Sequence, residues 1–366
     1  MGNKEILIIN QGYIRSNLGD QAIRVSMNRF FKEKNYLIDY SFLTAPNDYR
    51  DPLPDTNYIK NNYTAKNNYK KGLRIKIVLS IIKWFIVNLP SIISNLNKKK
   101  YKYVVIGGGQ LINSSNSFYP HSFSYSIYLW SFFSKLLNRK LIFVGVGANR
   151  KFNFWENFFY KKALQNASHV IVRDQYTRES LKKNFYVDSV IMPDIAFYDY
   201  DEIKNIKSRK FLAVNIYSYE EYNQNYNSNK ESITSYYNRW IELIKENMEG
   251  DEIVLFSTTP TDYYENCQFV GYLKENKIFN GKKIILENIT DLRDINELYD
   301  NSYKVISGRM HAILIGIKKG AVPIVFEISD KLSTFKREYI DNGIRLKENK
   351  NQIKDTLDKY FKDENV

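Results

Sequence analysis

The stretch Ile306-Ser-Gly-Arg-Met-His-Ala-Ile-Leu-Ile-Gly-Ile317 compresses a strand end, a glycine turn and the start of an apolar helix. Tyr303–Ile306 reads as the strand and Met310–Lys318 as the helix, with Pro323–Phe326 as the strand that follows. Strand, tight turn and helix in that order form the unit of a parallel sheet wrapped by helices. The N–H groups at such a helix start carry partial positive charge, so the turn suits a phosphate or carboxylate. Gly308 permits the tight turn and close ligand approach. Arg309 offers a planar fork of donors for an oxyanion. His311 is the side chain best able to exchange a proton near neutral pH. Residues two apart on a helix point to nearly opposite faces, so Arg309 has to sit in the turn if both are to reach one ligand. A plainer reading leaves His311 as packing and Arg309 paired with an acidic neighbour.

The same unit recurs along the chain. Strands are predicted at Ile6–Asn10, Leu37–Phe42, Tyr103–Ile106, Leu141–Val146, Val170–Arg173 and Val190–Met192. Helices are predicted near Asp20–Lys34, Leu73–Asn95, Ser124–Leu137, Trp155–Asn166 and Tyr176–Asn184. A charged stretch, Asp199–Lys210, reads as a linker. The pattern then restarts, with strands at Phe211–Ile216, Ile253–Phe256, Lys283–Leu286, Lys304–Ile306 and Pro323–Phe326. Its helices are Ser232–Met248, Tyr263–Lys274, Asp294–Tyr299, Met310–Lys318, Ser333–Tyr339 and Gln352–Phe361. The fold class is therefore α/β, with two Rossmann-like domains facing a cleft: residues 1–200, residues 201–335, and a helical tail, 336–366. Ligands of such sheets bind beyond the carboxyl ends of the strands.

Bulk composition narrows the chemistry. The chain has 366 residues, one cysteine (Cys267) and three histidines (His121, His169 and His311). An intrachain disulfide and a cysteine zinc cluster are thereby excluded. The start of the chain lacks the pattern of a signal peptide, which predicts a cytoplasmic protein. A net charge of +14 suits an anionic partner, or simply reflects a lysine-rich composition. Nucleic acid is not expected, because no zinc finger, aromatic RNA-binding strand or recognition helix is present.

The apolar segment around 73–95 is interrupted by Lys76 and Lys83 and broken by Pro90, so it is not expected to span a bilayer. The favoured expectation is a helix packed on the first sheet. The other reading is peripheral membrane contact through an amphipathic helix flanked by Lys70, Lys71, Arg74 and Lys98–Lys100.

Further short motifs stand at strand ends: Asn17-Leu-Gly-Asp20 with Ala22 and Ile23, Gly107-Gly-Gly-Gln110, and Gly145-Val-Gly147. Arg173-Asp174 with Thr177, Pro193-Asp-Ile-Ala-Phe197, Ser307-Gly-Arg-Met-His311 and Pro323 through Lys331 continue the series. In this order and spacing they resemble the polysaccharide pyruvyl transferase family, from about Gly12 to Phe335. The resemblance implies a GT-B arrangement. It implies transfer of a pyruvyl group from phosphoenolpyruvate, as a ketal, onto a sugar of a capsular, exopolysaccharide or cell-wall glycan. His311 would move the proton, and Arg309, Gly308 and Lys331 would bind the donor on the second domain. Phosphoenolpyruvate is a co-substrate, and no metal or other cofactor is implied.

Asp20, Asn17, Gly108, Gly109 and Gln110 belong to the first, acceptor-side domain. Asp20 is read either as orienting an acceptor hydroxyl or, with Asn17, as a helix cap and turn. Gly108, Gly109 and Gln110 are expected to shape the cleft floor; they lack dinucleotide-fingerprint spacing. Arg173 and Asp174 read as a local pair, and Asp194 as ordering a turn. In the family the first strand of the second domain often ends in a basic residue; here Asn215 and Tyr217 stand there, so Lys331 is expected to supply the cation. Tyr217, Tyr219, Tyr222, Tyr226, Tyr236 and Tyr237 read as acceptor contacts or as exposed loop tyrosines. A glycan or lipid-linked glycan is the expected acceptor. The alternative is a GT-B glycosyltransferase with a nucleotide-sugar donor.

Overall fold

A computed structural model describes residues 4–10, 17–46, 73–97, 101–115, 117–202 and 209–362. The first sheet is parallel: β1 (Lys4–Asn10), β2 (Tyr36–Phe42), β3 (Tyr103–Ile112), β4 (Lys140–Ala148), β5 (His169–Val172) and β6 (Val190–Ile191), in the order β2-β1-β3-β4-β5-β6. The second, also parallel, holds β7 (Phe211–Asn215), β8 (Glu252–Leu255), β9 (Lys283–Leu286), β10 (Ser302–Ser307) and β11 (Val322–Val325), ordered β11-β10-β7-β8-β9.

Alternate residues of β1 and β3 bury opposite faces of the first sheet. Ile6, Ile8 and Val105 face helix α1 (Leu18–Glu33), through Ala22, Met27 and Phe30, and their core is continuous with the second domain. Leu7, Ile9, Val104 and Ile106 face outward against α2 (Leu73–Asn97), α3 (Ser122–Leu136) and α4 (Phe154–Asn166). Helix α5 (Gln175–Phe185) follows β5. In the second domain run α6 (Tyr219–Asn225), α7 (Ile233–Asn247), α8 (Pro260–Glu275), α9 (Leu292–Asp300), α10 (Met310–Lys318) and α11 (Asp330–Lys336). The final helix, α12 (Leu346–Tyr360), returns to the first domain. Phe361 packs edge-on against Phe31 and Tyr103, at 4.9 and 5.0 Å, and the hydroxyls of Tyr36 and Tyr103 donate to the carbonyls of Phe361 and Lys362.

Each sheet reverses its strand order at one point, between β1 and β3 and between β7 and β10. These switch points face each other. Across the gap, Leu18 N donates to Thr258 O at 3.0 Å and Gln21 Nε2 to Thr290 O at 3.1 Å.

Two expectations need correction. α6 is a helix the sequence reading lacked, because Tyr219–Asn225 carries no apolar stripe. Helix α2 is only partly packed on the sheet. Its second half is anchored by Ile92 and Leu96, fully buried, whereas Val78, Leu79, Ile82 and Ile86 in the first half are exposed.

Candidate active site

The site begins where β3 was expected to stop. The strand continues through Gly107–Gly109 to Ile112, with Gly108 and Gly109 at φ 74° and 78° and a register break against β4. A Cβ on Gly108 would collide with the Ile23 side chain, and one on Gly109 would stand 3.3 Å from Asp20 Oδ1. These glycines therefore seat the start of α1 flush on β3. Asn17 caps α1 by accepting from Gly19 N at 2.9 Å, so its side chain is spent on the helix. Asp20 lies in the first turn, next to the opposing domain.

His311, at the start of α10, packs against that turn. A Cβ on Gly19 would lie only 2.5 Å from His311 Nδ1. Two helix N-termini thus converge, each with partial positive charge, and Asp20 and Asp194 supply the compensating carboxylates. His311 Nε2 stands 3.4 Å from Asp194 Oδ2 and lacks a hydrogen bond of good geometry. Arg173 Nη1 donates to the same oxygen at 3.3 Å, and Arg173 Nη2 donates to Gln110 Oε1 at 2.9 Å. The Arg173–Asp174 ion pair is present at 3.4 Å. Asp194 Oδ1 accepts from Ala196 N at 3.0 Å, capping the short turn Ile195–Phe197. Asp194 therefore does more than order a turn: it holds a histidine from the facing domain.

Burial alone would raise the Asp194 carboxyl, but the nearby His311 ring, with Arg173, holds it well below the usual carboxylate range. Asp20 behaves in the opposite way. Burial pushes it above its ordinary value of 3.8, against the pull of His311, Arg173 and Lys331. Two acidic groups on one site with proton affinities driven apart form the usual pattern of acid–base assignment.

Arg309 does sit in the turn, with extended backbone at φ −107° and ψ 120°. It does not join His311. Its Nε donates to Asp262 Oδ2 at 2.9 Å, and its Nη2 to Asp262 Oδ1 and Glu221 Oε2, both at 2.8 Å. The guanidinium also lies 4.0 Å above the Tyr217 ring. Two carboxylates thus hold the Nε and Nη2 edge of the fork. Gly308 serves the same cluster: a Cβ there would lie 2.9 Å from Tyr217 Cβ, so the close approach it permits is to protein. Asn215 is also internal, accepting from Ser307 Oγ at 2.8 Å and donating to Phe256 O at 3.1 Å.

Lys331 is placed differently. It lines a cleft of about 650 Å³ between the domains, together with Gln110, His121, Arg150, Lys151 and Tyr226. It also borders a small inner cavity with Arg173, Asp194 and Met310. Among the described residues its ammonium makes no hydrogen bond or ion pair. Burial first, and then the positive charge of Arg173, push its pKa down to about 7. Of the tyrosine group only Tyr226 reaches the cleft; Tyr217, Tyr222, Tyr236 and Tyr237 belong to the core. His121, which carries no motif, caps α3 through Nδ1 and faces the cleft; His169 opens β5 against the Tyr360 ring. Among the described residues no group of three or more His, Cys, Asp or Glu side chains is placed to hold a metal ion.

A family model for polysaccharide pyruvyl transferase matches residues 17–330, which contain every member of this cluster except Lys331. The chain belongs to the polysaccharide pyruvyl transferase family. Family membership makes it a transferase acting on polysaccharide. No curated protein matches it at a significant level. Among solved structures, a putative UDP-N-acetylglucosamine 2-epimerase from Listeria monocytogenes is 13% identical with a TM-score of 0.52, covering 99% of this chain and 89% of that one. The UDP-GlcNAc 2-epimerase of Methanocaldococcus jannaschii is 12% identical with a TM-score of 0.52, covering 96% and 99%. A glycosyltransferase from Rickettsia africae is 12% identical with a TM-score of 0.51, covering 97% and 92%. At such identities the shared property is the fold, and this pyruvyl transferase family member has the two-domain GT-B form.

Proposed function

We propose that the protein transfers a pyruvyl group from phosphoenolpyruvate to two hydroxyls of a glycan sugar, in the cytoplasm or at the inner face of its membrane. The observation that carries this reading is a histidine of one domain held at 3.4 Å by a buried carboxylate of the other, beside the Lys331 ammonium, which has no hydrogen bond or ion pair among the described residues. Carbon 2 of the donor gains two sugar oxygens, carbon 3 gains a proton and becomes a methyl, and the bond from carbon 2 to the phosphate oxygen breaks. One hydroxyl proton ends on carbon 3 and the other leaves with phosphate, so protons are relayed without net consumption. His311, held in place by Asp194, is assigned the delivery to carbon 3. Asp20, whose proton affinity burial raises, receives a hydroxyl proton. Lys331 anchors the donor anion, with Arg150 and Lys151 at the cleft rim.

The test is a thermal melt with phosphoenolpyruvate and, in parallel, UDP. Phosphoenolpyruvate is expected to raise Tm in the parent and to lose that effect in Lys331→Met. Protection by UDP alone would transfer the assignment to a nucleotide-sugar donor.

A further inference from the structure

Helices α2, α3 and α4 cover the outer face of the first sheet, and their own outer sides are left apolar. Val78, Leu79, Ile82 and Ile86 recur at helical spacing along the first half of α2, with Ile86 at 69% exposure. Phe132 and Leu136 of α3 are exposed, as are Phe154, Trp155 and Phe158 of α4, with Phe154 at 76%. Ring contacts join these into one surface. Trp84 and Phe85 pack on Tyr125 at 4.9 and 5.6 Å, and one turn further along α3 Tyr128 meets Phe132 and Phe158 at 6.0 and 6.3 Å.

Charge decides what this surface fits. The three helices contain a single acidic residue, Glu156, and it is fully buried. It is occupied by Ser114 Oγ and by the backbone N–H groups of Ser115, His121 and Asn153. Their exposed charges are the lysines, among them Lys83, Lys135 and Lys162. A second copy of the chain would set lysines against lysines. An apolar face with interfacial Trp and Phe, edged by Lys and free of exposed carboxylates, complements an anionic lipid surface.

We propose that this face docks the protein on the surface of an anionic bilayer, with the first half of α2 lying in the interface. The segment Ile77–Asn97 is long and apolar enough to cross a membrane, at a mean hydropathy of 1.9. It is nevertheless tied to the protein: Ile92 and Leu96 are in the core, Asn88 and Asn95 are buried, and Trp84 Nε1 donates to Thr44 O at 2.7 Å. Lying on the bilayer keeps those contacts; crossing it would break them. The docking face also adjoins the cleft, since Glu156 of α4 ties down Ser114 and His121 of the cleft wall. A glycan carried on a lipid would then reach the cleft from the docked side. That consequence rests on the acceptor reading above; the docking does not.

Flotation of the full chain with phosphatidylcholine vesicles, with and without phosphatidylglycerol, tests the proposal. Binding is expected with phosphatidylglycerol only, and is expected to weaken as salt rises. The double variant Ile82→Asp/Ile86→Asp is expected to lose about tenfold or more of the bound fraction, and Lys83→Glu about fivefold. Both change exposed positions, so Tm is expected to hold; if the double variant misfolds, Lys83→Glu carries the test alone. Absence of flotation, binding that ignores these changes, or a dimer in light scattering that Ile86→Asp dissolves would each overturn it. Flotation needs no donor, so its failure is separable from failure of pyruvyl transfer.

Discussion

Arg173 and Arg309 close two parallel strands in the two facing domains, and each is drawn in by a buried aspartate, yet only one is built into the cluster between the domains. Arg173, at 2% side-chain exposure, shares Asp194 with His311 and steadies Gln110. Arg309 is divided between Asp262 and Glu221 and capped by Tyr217, inside its own domain. In the first cluster Arg173, His311 and Lys331 face Asp20, Asp174 and Asp194, and among the described residues Lys331 makes no hydrogen bond or ion pair. In the second, two carboxylates claim one cation. We therefore propose that an incoming anion is received beside Arg173, and that Arg309 sets the shape of the second domain's strand ends.

The sharpest break in this comparison is at His311. His311→Asn should lower kcat by about 10²–10⁴-fold, while the melting shift given by phosphoenolpyruvate persists, because binding is assigned elsewhere. Activity that survives the substitution would remove the proton-transfer role. Next comes Arg309→Met, which strands the fully buried Asp262 carboxylate. It should cost about 3–5 kcal/mol of stability, read in urea melts, and Asp262→Asn in the same chain should restore part of the loss. A stable Arg309→Met protein that no longer binds phosphoenolpyruvate would instead return Arg309 to the donor site.

Lys331 gives the third test. Its pKa of about 7 makes the ammonium scarce above neutrality, whereas a phosphate monoester is already ionised there. Affinity for phosphoenolpyruvate should fall about tenfold per pH unit above that point. Lys331→Arg, which stays charged, should flatten the profile. A flat profile in the parent protein would exclude Lys331 as the anchor.

Much of this was legible in the chain, for a physical reason. Parallel strands buried on both faces read as short apolar runs, so the eleven strands among the described residues were visible, with β3 alone running well past its expected end. His311, Lys331 and Asp20 were visible as residue types at strand ends. What stayed hidden depends on partners distant in sequence. Nothing near Arg309 announces that Asp262, 47 positions earlier, will claim it. Asp194 looks like any capping aspartate until a histidine of the other domain arrives. The three glycines after Ile106 read as a stop, because only the packed α1 shows that a bulged strand passes beneath it. The apolar stripe of α2 likewise marks a face without saying which medium will cover it.

The smallest expected effect is at Asp20, and it separates burial from catalysis. A carboxyl whose folded pKa is raised contributes stability that is complete below its unfolded value and is lost as pH rises through the folded one. At pH 8 the folded protein therefore bears the cost of the raised Asp20 pKa, and near pH 4 it largely does not. Asp20→Asn keeps the shape and removes the charge. It should raise Tm relative to the parent on the order of 2 °C at pH 8, with little or no gain at pH 4, while turnover falls. Asn cannot receive a hydroxyl proton, so a more stable and slower variant is the signature of a group kept in place for its chemistry. A variant destabilised equally at both pH values would show that Asp20 serves only the first turn of α1.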